Sequence, residues 1–403
     1  MVNLRFVGWL GVLSLAGCVA YERDDSDATS LAAAAQKREG GTFTWSDAVA
    51  TALRQNAELQ ALEADVRAAG VTSTPIDVEL AFPTDFIMLS AIVDPVALLG
   101  GGARGATMDV VRAEAVVATE RLAVARWRTI AAVTEAFAVE ASLAAIATPK
   151  LEVDTKAFER AGLASSLATA QLRAADARLA AEVTMLAAER DANRARLREL
   201  LGLPANATCE FARGDDPLIE QPQHEGDTIL ARPDLALATA EFRVADAEFA
   251  LAVAEQYPSL RVGPDIPMRR GLGVVESLWE ARVPFATSGR AEAARERRDA
   301  ARSRLLAAWL RADNEAVAAD RALAAARAAD DAAATGLQAS VQALTIGKAA
   351  IRVEEDAFDR VAEAATMVAR DAMERRLTAL ARARAEVARA VALGWPAAQG
   401  RSS

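Results

Sequence analysis

Apolar residues fall along this chain in two rhythms, and the order of the rhythms is repeated. Helical spacing runs from Thr44 to about Ala69, opened by Thr44-Trp45-Ser46-Asp47, which resembles a capping box. Between Thr72 and Gly105 the period falls to two: Ile76, Val78, Leu80 and Phe82 alternate with Asp77, Glu79 and Ala81. Pro83-Thr84-Asp85 supplies a turn, and Phe86 to Val93 offers a second strand before the glycines at 100–102. A β-hairpin is therefore expected over 72–104. From Gly105 to Gly162 the spacing is helical again, and in the return run Leu172, Leu179, Leu186, Asn193 and Leu200 recur every seventh residue, as along a coiled-coil seam.

The same order then starts afresh. Arg232-Pro233-Asp234-Leu235 stands where Asn56-Ala57-Glu58-Leu59 stood, and Ala240-Glu241-Phe242-Arg243 answers Ala64-Asp65-Val66-Arg67. A second hairpin is expected over 257–288. There Leu260 and Val262 flank Arg261, Gly271 and Gly273 punctuate, and Val275, Trp279, Ala281, Val283 and Phe285 alternate with Glu276, Glu280 and Arg282. Pro264 and Pro267 are expected to interrupt its first strand. Gly289 to Gly347 reads as a helix of roughly 85 Å if unbroken. Pro149 and Gly336 are expected to bend the two outgoing helices near their far ends. Leu201-Gly202-Leu203-Pro204 closes the first copy and Leu393-Gly394-Trp395-Pro396 the second. A unit this long is no solenoid repeat; two pseudo-equivalent halves complete one architecture. The expected organisation is a leader over 1–17, a flexible tether over 18–42, repeats over 43–204 and 226–396 joined by a linker over 205–225, and a tail over 397–403.

Composition fits long helices: hydrophobic residues make up 52% of the chain but aromatics only 5%, so alanine carries much of the apolar count. A net charge of −10 excludes nucleic acid as a natural partner, because no basic field attracts phosphate. Arg5, the apolar run Phe6 to Leu15 and then Leu15-Ala16-Gly17-Cys18 have the layout of a signal peptide, too short for a spanning helix. The Leu-Ala-Gly-Cys ending resembles the lipobox of bacterial lipoproteins, which implies an acyl lipid on Cys18 and, with Val19 next, sorting to the outer membrane. Cys209 is then left without a disulfide partner.

Catalysis finds no support in the sequence. There is no phosphate-cradling glycine motif, no nucleophile elbow and no metal-ligand spacing, and the one histidine, His224, falls in the linker. No cofactor or metal is expected, and the chain does not read as an enzyme. The hairpins say more: a two-stranded sheet cannot stand alone, and its open edges would leave backbone groups unsatisfied in lipid. If the strands face lipid, they must close with strands from other copies of the chain.

At this point the chain resembles the TolC-like outer-membrane efflux proteins over about residues 43–396. The resemblance is carried by Ser46-Asp47-Ala48-Val49 with Asn56-Ala57-Glu58-Leu59, Arg232-Pro233-Asp234-Leu235, Tyr257-Pro258-Ser259-Leu260, Val283-Pro284-Phe285, Ser288-Gly289-Arg290 and the two Leu-Gly-x-Pro ends. It implies a mostly α fold with a small β part: long antiparallel coiled-coil helices forming a trimeric α-barrel tunnel, and two short β-hairpins per protomer contributing to a shared twelve-stranded β-barrel. Ala161-Gly162-Leu163-Ala164 and Ile346-Gly347-Lys348-Ala349 match the helix-turn-helix tips that dock on a periplasmic adaptor protein. Asp356, with Glu354 and Glu355, matches the acidic constriction that follows the second tip, although Val353 departs from one of the family's two positions there. The implied role is a passive exit duct for a tripartite efflux or type I secretion system, fed by an inner-membrane pump of RND or ABC type. The hairpins are shorter than usual for the family, so the rival expectation is a periplasmic coiled-coil lipoprotein scaffold that forms no pore.

Overall fold

The structure, a computed structural model, describes residues 27–70, 77–81, 87–92, 102–146, 149, 151, 165–212, 229–256, 259–269, 272–273, 276–282, 288–350 and 357–395. The leader, Cys18, the linker histidine and the tail lie outside them. So do 161–164 at the first expected tip and Glu354, Glu355 and Asp356 after the second.

The segment expected to be a tether is ordered from Asp27. Asp27 and Ser30 form a reciprocal capping box that opens α1 (Ala28–Gln36). Arg38 then donates to the carbonyls of Gln55 at 3.1 Å and Gly202 at 2.8 Å, which pins the segment to the first repeat. β1 (Gly41–Phe43) pairs in parallel with β4 (Cys209–Phe211), joining the start of that repeat to its end. The helix expected from Thr44 to Ala69 is in fact two, α2 (Trp45–Gln55) and α3 (Ala57–Ala69). Thr44 caps α2 by accepting from the Asp47 N–H at 3.1 Å. Asn56, in an extended conformation, ends α2 and caps α3 through its side-chain oxygen.

The long helices follow: α4 (Gly102–Ala145), α5 (Ser166–Leu200), α6 (Pro233–Ala254), α7 (Ser288–Ala350) and α8 (Ala357–Ala392). α4 stops short of Pro149, as a residue without an N–H and with a bulky ring requires. α7 runs 63 residues, about 95 Å, and its helix continues unbroken through Gly336. One glycine costs a helix about 1 kcal/mol against alanine, too little to break so long a hydrogen-bonded ladder. On α5, Ala168, Leu172, Ala175, Leu179, Glu182 and Leu186 are buried at alternating steps of four and three and Asn193 follows one heptad on, which bears out the seam as far as Asn193; Leu200 is only half-buried and Leu197 is buried instead. The helices pack in a row in which α3 lies on α4, α4 on α6 and α6 on α7; farther along, α8 packs between α5 and α7.

Both hairpins form, and they join. β2 (Asp77–Ala81), β3 (Ile87–Ile92), β5 (Ser259–Arg269) and β7 (Glu276–Arg282) make an antiparallel sheet in that order, with β6 (Leu272–Gly273) also paired to β5. Contrary to expectation, β5 continues for 11 residues through Pro264 and Pro267. The register explains how. Pro264 pairs only with β7, opposite Ser277, and Pro267 only with β3, opposite Met88. Each proline stands where one side of β5 is unpaired, so a missing N–H breaks no ladder. Among the described residues, β2 pairs only with β3 and β7 only with β5, and both outer edges of the sheet are open.

Candidate functional site

Three zones along the helices hold the side chains with chemistry. The first is the end remote from the sheet. Leu172, Leu179, Leu344, Phe358, Val361 and Val368 form one apolar cluster shared by α5, α7 and α8, joined by Leu151 from the segment between α4 and α5. Ser165 caps α5 by accepting from the Ala168 N–H at 3.1 Å and donates to Asp359 at 2.8 Å, so the starts of the two return helices are tied together. Ile346, Gly347, Lys348 and Ala349 occupy the last turns of α7 rather than a turn of their own. The sequence suggested a loop glycine at 347, but its role is closeness: a Cβ there would lie 2.9 Å from Val361 Cγ2. Leu167 and Ile346 at this end are among the most exposed large apolar side chains, 67% and 62% accessible.

The second zone lies midway along α8 and was not visible in the sequence. Arg376, on the seam with α5, pairs with both Glu182 and Glu189, which stand seven residues apart. Burial opposes the guanidinium's charge, but the hydrogen bonds and fields of the two carboxylates outweigh it and leave its pKa raised. The adjacent seam inverts this layout. Asp330 of α7, 4% accessible at its side chain, pairs with Arg375 and Arg382, again seven apart, the latter at 3.1 Å. One heptad of rise is about 10.5 Å, within the reach of a long side chain spanning two turns. Farther on, Asn193 donates to the Ala136 carbonyl at 2.8 Å, so the polar heptad position Asn193 holds α5 against α4.

The third zone joins the two repeats. Trp45 stacks on Trp395 with ring centroids 6.3 Å apart, and the Trp127 indole donates to the Trp395 carbonyl at 2.8 Å. Arg232 lies over the Trp127 ring at 5.6 Å and pairs with Asp234 at 2.7 Å and Glu315 at 2.8 Å. Beside it, Cys209 is buried against α2 and α5, and desolvation pushes its thiol up to about 11 despite the nearby Arg198 and Arg194. A cavity of about 1080 Å³ opens between α4, α6 and α7, walled by Val116, Leu230, Leu306 and Trp309 with Arg243 and Arg302 at its margin. Among the described residues no cluster of ligating side chains could hold a metal ion, and no helix is long and apolar enough to cross a membrane.

Nearly the whole chain superposes on solved outer-membrane channels. It matches CusC, known from crystal structures concerned with transmembrane channel formation, with a TM-score of 0.70 at 15% identity over 94% of this chain and 99% of that one. The outer-membrane channel OprN gives 0.71 at 18% identity, covering 93% and 98% of the two chains. The outer membrane protein VceC of Vibrio cholerae gives 0.67 at 18%, covering 87% and 96%. No family model and no curated protein matches the chain. At these identities the likeness is one of fold, and the fold is that of the outer-membrane channels to which the sequence motifs pointed.

Proposed function

We propose that this chain, built on the fold of the TolC-like outer-membrane channels, is the outer-membrane exit duct of a tripartite efflux or type I secretion assembly. The observation that carries the reading is the sheet: the antiparallel order β2-β3-β5-β7, whose outer edges are unpaired among the described residues, mounted on helices up to 63 residues long. Such a sheet is incomplete in lipid until its edges pair, and three copies supply twelve strands for a closed barrel. The 11 residues of β5 meet the length that a tilted strand needs to cross the hydrocarbon. The helices continue the duct through the periplasm, and acyl lipid on Cys18 anchors each copy to the outer membrane.

The end near Ser165, Ile346 and Asp359 is the docking tip. Ala161, Gly162, Leu163 and Ala164 with Ile346, Gly347, Lys348 and Ala349 meet a periplasmic adaptor protein, and Glu354, Glu355 and Asp356 line the entrance. The exposure of Leu167 and Ile346 supports a protein surface awaiting a partner there. Energy comes from an inner-membrane pump of RND or ABC type; the duct performs no chemistry and sets a cation preference through its acidic lining.

Planar-bilayer recording of the detergent-purified chain, alongside its mass in the same detergent, tests the reading. The expected result is stepwise, cation-preferring conductance from a species of three chains. A silent bilayer and a single-chain mass would leave a scaffold without a pore.

A further inference from the structure

Among the described residues, sheet and helix row share one order and are open at the same two ends. The sheet runs β2-β3-β5-β7. The row beneath it runs α3-α4-α6-α7. α3 leads into β2 and β7 leads into α7, so one open end of the molecule is α3 with β2 and the other is α7 with β7. The two ends differ, and differing ends that meet head to tail close a ring.

Their side chains are complementary. Between Ser288 and Arg311, α7 carries seven arginines against three carboxylates, whereas α3 carries three carboxylates and one arginine. On α7, Leu306, Leu310 and Val317 are exposed at helical spacing, 59%, 46% and 37% accessible, off the stripe Ala301, Ala312 and Ala316 that is buried. Arg304 and Arg311, both exposed, share a line roughly a third of a turn round the helix from that stripe, and among the described residues neither has an ion pair with a carboxylate. The exposed Glu58 and Asp65 of α3 are likewise without a cationic partner among the described residues.

Ion pairs across the row serve as a ruler. Glu63 of α3 meets Arg126 of α4, Arg121 of α4 meets Glu241 of α6, and Asp246 of α6 meets Arg298 of α7. Stepping along the antiparallel helices places Glu63 level with Ala308. Asp65 is then level with Leu306 and Glu58 with Asp313. Arg304 and Arg311 each lie two residues, about 3 Å, from the level of Asp65 and Glu58 respectively. Both pairs are spaced by seven, so one axial offset satisfies both. For a ring whose axis runs parallel to the helices, rotation leaves levels unchanged and the match carries over to a neighbouring copy.

We infer that α7 of one copy docks on α3 of the next, with Arg304 facing Asp65 and Arg311 facing Glu58 along one border of the contact and Leu310 and Val317 along the other. The joint rests on the reading of the chain as a ring-forming channel subunit, and it names the surface that closes the ring. It continues upward into pairing of β7 with the neighbour's β2.

The test uses the full chain in detergent, with mass and far-UV circular dichroism as readouts. Arg304→Glu with Arg311→Glu, or Glu58→Arg with Asp65→Arg, is expected to weaken assembly about tenfold or more at unchanged helicity, and the four changes together to restore it. A Gln60→Cys, Leu310→Cys chain is expected to link into dimers and trimers on oxidation. Full assembly of both charge-reversed chains in a protein that is itself trimeric, or no linkage of the cysteine pair, overturns the joint while the duct reading stands. A wild-type chain that is monomeric at all concentrations sinks both.

Discussion

Arg376 shows how much of this molecule is decided by single residues at heptad positions. Its two carboxylates, Glu182 and Glu189, sit on the stripe that otherwise holds Leu172, Leu179 and Leu186. Removing the cation alone strands a buried Glu182, so Arg376→Ala is expected to cost about 3–5 kcal/mol in denaturant unfolding. Replacing all three groups together, Arg376→Met with Glu182→Leu and Glu189→Leu, is expected to be neutral or stabilising, because desolvation of three ionised groups disappears with them. A triple variant as unstable as the single one would show that the ion layer itself carries the stability. Cys209 gives a second prediction. Its thiol is held at about 11 against an unfolded value near 9.0. Below pH 9 both states keep the proton; between 9 and 11 the unfolded chain loses it and the folded one does not. Stability is therefore expected to fall across that window by roughly 2–3 kcal/mol relative to Cys209→Ala, which lacks the titration. Thiolate absorbance rising below pH 9 in the folded protein would contradict this. At this scale the sequence was legible where a residue has one use. The Leu-Gly-x-Pro ends predicted turns, and Gly202 and Gly394 hold positive φ of 64° and 86°. Glu182, Glu189 and Asp330 were not legible, because a charge on a helix looks solvated until the facing helix supplies its partner.

Elements were legible in kind and order more than in their limits. Alternation found both hairpins, and the seven-residue period found the seam on α5, since burial on one face writes itself directly into the pattern. What local pattern lacks is the neighbour. Pro264 and Pro267 look like strand breakers in isolation, yet their partners Ser277 and Met88 lie on opposite sides of β5. Likewise Asn56 divides a helix that periodicity alone would continue. The two glycines of α7 make the point measurable. Nothing lies within 4 Å of a Cβ at Gly336, so Gly336→Ala is expected to stabilise the helix by about 0.5–1 kcal/mol. Gly347→Ala meets the buried, β-branched Val361 at 2.9 Å and is expected to destabilise, although both glycines are helical. Urea unfolding followed by far-UV circular dichroism checks the signs; equal shifts for the two variants would mean that α7 and α8 do not approach as closely as Gly347 permits.

The duplication extends from sequence into hydrogen bonds, and it shows how the halves become one body. Asn56 donates its side-chain N–H to the Leu200 carbonyl at 3.5 Å, and Arg232, 176 residues later, donates to the Ala392 carbonyl at 3.1 Å. Leu203 and Trp395 close the same motif in each half, reaching back five residues to Arg198 and Ala390. Equivalent positions have diverged in one respect. Leu203 stays within the core of its own repeat, whereas Trp395 stacks on Trp45 and accepts from Trp127, both in the other. The last turn of the second repeat is thus a clasp on the first, a role that the Leu-Gly-x-Pro pattern could not reveal because it is identical in both copies apart from that residue. Trp395→Ala keeps the carbonyl that Trp127 uses but removes the stacked ring, and its cost is expected to be about 3–5 kcal/mol. If the clasp is what couples the halves, calorimetry of the wild-type chain gives one unfolding transition and the variant gives two. A single transition moved to lower temperature would instead place the coupling in the long contacts of α4 with α6 and α8, with Trp395 acting only as core.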